Sequence, residues 1–372
     1  MNMSRLFSNA KSRGARFVFV LFTMWLSAQA DAIAQNFWQQ TNGPCNGDFR
    51  AVAINSNGHI FTGTTGSRIF RSMNNGDSWT AINTGLTSTR LNALAINSSR
   101  DIFAGTYGGI IRSVDNGNNW TAINTGLNNM LVNALVISSK GDIFAGTNSG
   151  IFHSTNNGDS WVDERLTGTY VRAFAINSSG DIFAGTSNGI FRSKDNGGTW
   201  TSVNTDLKNT RDNALAINSI GHIFAGTSNG IFRSEDNGGT WTAVNDGLTN
   251  TDIGTLAINS SKHIFAGTEG GIFLSKDNGN NWTAVNTDLA NTGVHALAIN
   301  SNGYIFAGTN GGGIFRSTTN GESWAAVNNG LANTGVHTLA IDSSGRIFAG
   351  QVVPESFARR IMAPVGPSLV AV

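Results

Sequence analysis

A unit of 41 residues recurs along nearly the whole chain and is clearest at its tryptophans. Trp38, Trp79, Trp120, Trp161, Trp200, Trp241, Trp282 and Trp324 stand 41, 41, 41, 39, 41, 41 and 42 residues apart. Self-similarity at this period means one supersecondary unit used repeatedly, because a unit this small cannot bury its apolar face alone. The 372 residues would by length alone suggest two or three domains. A repeat array instead forms one continuous structure. What every copy keeps is then architecture, and what single copies change is candidate function.

One unit reads as follows. Residues 214–217 (Ala-Leu-Ala-Ile) form a short strand, 218–221 a turn, 222–227 (His-Ile-Phe-Ala-Gly-Thr) a second strand and 228–230 a second turn. Residues 231–234 (Ile-Phe-Arg-Ser) form a third strand, 235–239 a third turn and 240–245 a fourth strand. Short strands joined by Gly/Asn turns predict an antiparallel meander. Four strands in about 40–45 residues predict a propeller blade. Leucine-rich repeats have a shorter period and a Leu-x-x-Leu-x-Leu frame, which is missing, and no window holds the apolar period of an α-solenoid.

The expected fold is therefore all-β: a propeller of four-stranded antiparallel blades. The alanine-rich first strand should line the central channel, where strands crowd together. The Ile-Phe pairs should fill the space between blades. Residues 37–40 match a fourth strand with no unit before it, and 337–350 match two strands with no complete unit after them. Pairing of these partial repeats would close the ring, which favours eight blades, with seven as the alternative.

The ends differ from the repeat. Arg5, Lys11, Arg13 and Arg16 precede an apolar run over residues 17–26, followed by small-x-small sites at 28–30 and 32–34. The run is too short for a stable bilayer span and predicts a cleaved signal peptide over 1–34. The propeller is expected over 35–351 and a non-repeat tail over 352–372. Cleavage after Ala34 leaves 20 basic and 22 acidic residues, so no electrostatic footprint for nucleic acid or anionic lipid remains. A secreted or extracytoplasmic monomer, at the periplasm or cell surface, is expected. The single cysteine, Cys45, allows no intramolecular disulfide.

The third turn carries the pattern Ser-x-Asp-x-Gly-x-x-Trp. It is complete at Ser113/Asp115/Gly117/Trp120, Ser193/Asp195/Gly197/Trp200, Ser234/Asp236/Gly238/Trp241 and Ser275/Asp277/Gly279/Trp282. Three further copies place Asn74, Asn156 or Thr319 at the Asp position. The Asp side chain can accept from backbone N–H groups ahead of it, Gly permits positive φ, and Trp buries a large indole. These turns resemble the Asp-box, or BNR, repeat of sialidase-like, sortilin-like, xyloglucan-hydrolase and photosystem II assembly factor-like propellers. The resemblance implies that the motifs are structural hairpins on the face away from the ligand site.

Catalytic readings lack their residues. Sialidase chemistry needs a convergent arginine cluster and a Tyr nucleophile beside a Glu, whereas Arg71, Arg112, Arg192, Arg233 and Arg316 recur at one strand position in different blades. Other glycosidases need two carboxylates facing a cleft, yet Asp101, Asp142 and Asp181 occupy repeat turns. Each motif turn offers one carboxylate at most, so no metal site and no cofactor are expected.

Candidate binding residues are those that break the repeat on the opposite face. Arg50, Arg172, His295 and His337 stand just before the first strand, where other copies have Asn92, Asn133, Asn213 and Gly254. Tyr107 and Glu269 lie in the second turn, and Tyr170 and Arg211 in the inter-blade loops. The expected function is a non-catalytic scaffold that binds a protein or glycan there. The alternatives are a polysaccharide-active glycoside hydrolase and an extracytoplasmic sensor module.

Overall fold

A computed structural model describes residues 49–352, apart from 65–67, 75–77, 87–89, 165, 167, 204–206, 208–211, 290–292, 329–334 and 343. The expected signal peptide, the strand at residues 37–40, Cys45 and the tail beyond 352 lie outside the described residues. Seven four-stranded antiparallel sheets follow one another, each ordered from first strand to fourth. The fifth has strands Asp212–Ile217, Ile223–Thr227, Gly230–Ser234 and Thr242–Ala243. The fourth strand is only two residues long, shorter than the sequence pattern suggests.

The first strands form the inner circuit. In chain order they are Phe49–Ile54, Leu91–Ile96, Val132–Ile137, Val171–Ile176, Asp212–Ile217, Ile253–Ile258, Val294–Ile299 and Gly335–Ile341. Each touches the next, and the last also touches the first, so the ring closes. The eighth position holds a two-stranded sheet, Gly335–Ile341 with Ile347–Val352. Among the described residues the complete blades thus number seven, the alternative count, and the favoured eighth is represented by this two-stranded position.

Period-two alternation distributes the core between blades. In the second strand the Phe side chain faces the following blade and the Ile side chain the preceding one. Phe61 of the first blade shares a cluster with Leu91, Ile102, Ala104 and Trp120 of the second. Phe103 in turn packs with Val132, Ile143, Ala145 and Trp161 of the third. Phe61, Phe103 and Ile102 are fully buried, and each such side chain contributes roughly 1.5–3 kcal/mol.

The third turn closes as its residue types dictate. Asp236 accepts from the Ser234 hydroxyl at 2.8 Å and from the Thr240 backbone N–H at 2.8 Å. Asn156 and Thr319 accept the same N–H, from Ser160 and Ser323, each at 3.0 Å. The residue after the acceptor is left-handed, with φ near 60° at Asn116, Asn157, Asn237 and Asn278, a region asparagine tolerates.

These turns also join neighbouring blades. The Trp120, Trp161 and Trp282 indoles donate to Ile82, Ile123 and Val244 carbonyls of the preceding blade, at 2.8, 2.6 and 2.8 Å. Trp200 and Trp241 bury the indole N–H without a hydrogen bond. First-turn Asn97, Asn177 and Asn218 donate to the left-handed Asn157, Asn237 and Asn278 of the next blade, at 3.0, 2.8 and 3.2 Å. Arg71, Arg112 and Arg233 reach across to the carbonyls of Asn116, Asn157 and Asn278, each at 2.6 Å. Arg192 departs and pairs with Asp181 of its own blade at 2.6 Å.

The third blade places His153 at the arginine position, stacked on Phe144 with centroids 4.3 Å apart. Burial pushes the His153 imidazole down, but Glu164 at 3.2 Å and Asp142 at 3.4 Å outweigh it and leave its pKa raised.

Replacing Trp161 separates its two contributions. Trp161→Phe keeps most of the packing but strands the buried Ile123 carbonyl, and should cost about 1–3 kcal/mol. Trp161→Ala should cost about 3–5 kcal/mol, read by denaturant unfolding. A Trp161→Phe variant as stable as the parent chain would show that the indole hydrogen bond adds nothing.

The turn carboxylates predict acid sensitivity. Backbone N–H groups of Asn119, Thr199 and Thr240 hold Asp115, Asp195 and Asp236 below the ordinary range, and the Asn281 side-chain amide does the same for Asp277. A lowered folded pKa stabilises the fold above the unfolded value near about 3.9 and ceases to do so as pH falls through the folded value. Melting temperature should therefore drop below about pH 4. Asp236→Asn, which imitates Asn156, should blunt that drop, and an unchanged acid limb in this variant would contradict the assignment.

Candidate functional site

Every inner strand carries a β-bulge at the same place. In the first blade the register shifts between Phe49 and Ala51, and in the second between Leu91 and Ala93. The shift recurs in all six other inner strands. The skipped residues are Arg50, Asn92, Asn133, Arg172, Asn213, Gly254, His295 and His337. The sequence reading put these residues just before the strand; they are instead the second residue of each strand, or the third in the eighth position. A bulge inserts one residue into the alternation and re-aims its side chain. The residue before the bulge, such as Phe49 or Leu91, remains buried, and the one after it is buried, as at Ala51, or half-buried, as at Ala93.

Seven of the eight bulge residues line one cavity of about 530 Å³. Arg90, Tyr107 and Tyr170 complete the lining. Backbone hydrogen bonds bring the second turn beside the inter-blade loop. Tyr107 N–H donates to the Arg90 carbonyl at 3.0 Å, and Ser187 N–H to the Tyr170 carbonyl at 2.9 Å. This joint sets two tyrosines at the mouth of the inner circuit.

The lining is polar and organised. The Arg90 guanidinium lies 4.7 Å above the Tyr107 ring, and that of Arg172 lies 4.3 Å above the Tyr170 ring. Asn92 donates to the Val132 carbonyl at 2.9 Å and Asn133 to the Val171 carbonyl at 3.3 Å, tying neighbouring inner strands. Tyr170 donates its hydroxyl to Asn133 Oδ1 at 3.2 Å. The His295 and His337 rings stand 5.0 Å apart. His295 Nε2 is 3.9 Å from Glu269 Oε1.

Six of the expected binding residues, Arg50, Tyr107, Tyr170, Arg172, His295 and His337, thus meet around one cavity. Glu269 stands at its edge beside His295 and is largely exposed. Arg211 lies outside the described residues. Arg90 is the lining residue that sequence reasoning missed. Its signal is positional: like Tyr170, it immediately precedes the first residue of an inner strand. Among the described residues no group of three His, Cys, Asp or Glu side chains could hold a metal ion. No helix among them is long and apolar enough to cross a membrane.

A closed circuit of four-stranded antiparallel blades around a channel defines a β-propeller. The chain belongs to the DUF6242 beta propeller domain family, whose model matches residues 35–173 and 209–346. None of the curated proteins matches the chain in sequence. Solved structures similar in fold include the computationally designed Ika8 protein, at 14% identity and TM-score 0.65, over 82% of this chain and 94% of that one. YCF48 bound to D1 peptide is similar at 16% identity and TM-score 0.57, over 72% of this chain and 92% of that one. The extracellular domain of BT3049 from B. thetaiotaomicron is similar at 15% identity and TM-score 0.53, over 87% of this chain. This chain spans only 56% of that domain.

Proposed function

We propose that this chain is a secreted, non-catalytic binding module that holds a protein or glycan ligand at the mouth of its inner circuit. The observation that carries this reading is the convergence of the bulge residues on one cavity. A bulge repeated in every inner strand leaves the scaffold constant while the side chain it presents varies from copy to copy. Folds of this kind carry function in such sites rather than in the scaffold. The Ser-x-Asp-x-Gly-x-x-Trp turns act as Asp-box hairpins, engaged with the neighbouring blade and not with a ligand.

The cavity lining includes no Asp or Glu, so the paired carboxylates of glycoside hydrolysis are not among the residues that face it. The fold likeness to a propeller that holds a D1 peptide agrees with a binding role. The basic and apolar leader over residues 1–26, together with the likeness to an extracellular propeller, supports action outside the cytoplasm.

Screening the purified chain against glycan and peptide arrays, with product release measured in parallel, tests this reading. Binding without hydrolysis is expected. The triple substitution Tyr107→Ala, Arg172→Ala and His295→Ala should abolish it while leaving the fold intact. Binding that survives in this variant, or steady release of reducing ends, would contradict the proposal.

A further inference from the structure

The cavity is cationic in a chain that is not. Its ten lining residues include three arginines, two histidines and no carboxylate, whereas the chain as a whole has a formal net charge of only +1. The basic side chains also have an order. His295, His337 and Arg50 occupy the bulge in three successive positions of the ring, and Arg90 stands in the loop entering the next. Arg172 approaches from the fourth blade.

Where the bulge residue is Asn92 or Asn133, its amide is committed to the neighbouring inner strand. Arg50 and Arg172 instead bring a guanidinium to the same position at the mouth. Among the described residues no ion pair joins Arg50 or Arg90 to a carboxylate. Arg90 Nε is buried without a hydrogen-bond partner.

The tyrosines narrow the ligand class. A guanidinium held over an aromatic ring, as at 4.7 Å for Arg90 and 4.3 Å for Arg172, can still meet a carboxylate through two parallel hydrogen bonds. The guanidinium also occupies a ring face on which a neutral sugar would stack. A cavity of about 530 Å³ falls in the range that encloses a small ligand or a short segment, roughly 300–1,000 Å³.

We infer that the cavity binds an acidic peptide segment, seating two or more carboxylates against Arg90, Arg172 and the arc formed by His295, His337 and Arg50. This rests on the reading of the channel mouth as the binding site and specifies its ligand. Gly254 offers a test in the direction of gain. It is the bulge residue without a side chain, its φ is not positive, and an added Cβ would meet nothing nearer than the Val294 carbonyl at 3.6 Å. Gly254→Arg should therefore fold and add a cation to the ring.

The experiment is calorimetric titration of the full chain with hexaglutamate, amidated hexaglutamine and hexagalacturonate, in low salt and near physiological ionic strength. Hexaglutamate should bind, weaken as salt rises and exceed hexaglutamine at least about tenfold, since charge-assisted pairs are the strong ones. Arg90→Gln and Arg172→Gln should each weaken it about tenfold. Gly254→Arg should strengthen it, and Lys194→Gln, on the opposite rim, should leave it unchanged. Equal binding of hexaglutamine, still lost in the arginine variants, would overturn the acidic ligand and leave the site standing. Hexaglutamate binding indifferent to Arg90, Arg172 and Gly254 would overturn the site as well. Tighter binding of hexagalacturonate would replace the peptide by a sugar acid, and no binding of any probe would end the proposal.

Discussion

The contact between successive blades is the interaction on which the rest of this structure depends. No blade is wide enough to bury its own Ile and Phe side chains, so each needs a neighbour on both faces. The third turn supplies the polar part of that contact. Its left-handed asparagine receives the first-turn asparagine of the preceding blade, and its carbonyl receives an arginine. Four indoles donate back to the preceding blade, at Trp120, Trp161, Trp282 and Trp324. One short motif therefore closes its own hairpin and holds the next sheet in register.

That assignment leaves the other rim free to vary. Turn residues on the motif side are committed to neighbours, and replacing them disturbs two blades at once. A bulge residue at the channel mouth interrupts the ladder locally and leaves the apolar residue before it buried. Arg, Asn, Gly and His all occupy it in different copies of one chain. Copy-to-copy variation in a repeat protein concentrates where substitution costs the scaffold least, and here that place is a single shared cavity.

Much of this was readable in the sequence because the signals were local and repeated. The tryptophan period gave the blade, and the Gly/Asn turns gave its meander. Departures at Arg50, Arg172, His295 and His337 gave the face. What was not readable depends on long-range geometry. The bulge breaks the period of two, so alternation ended at Ala51 or Ala93 and the true strand start two residues earlier was hidden. Arg90 was missed because its partner Tyr107 lies in the far turn of the same blade. The clamp role of Asn116, Asn157, Asn237 and Asn278 was missed although the same asparagine fills that variable position in every motif, and that constancy was the available clue. Among the described residues the eighth position has two strands, and the repeat itself is legible as far as Gly350.

The central claim is a division of labour between the two rims, and the melting temperature of one variant tests it most directly. Substituting four bulge residues together, as Arg50→Ala, Arg172→Ala, His295→Ala and His337→Ala, removes four side chains that the account assigns to ligand and none that it assigns to the apolar blade contacts. The account predicts a melting temperature within a few degrees of the parent chain, because surface substitutions away from caps and cores change stability by about 0.5 kcal/mol or less each. A cooperative loss of structure in this variant, comparable to removing a motif tryptophan, would contradict it.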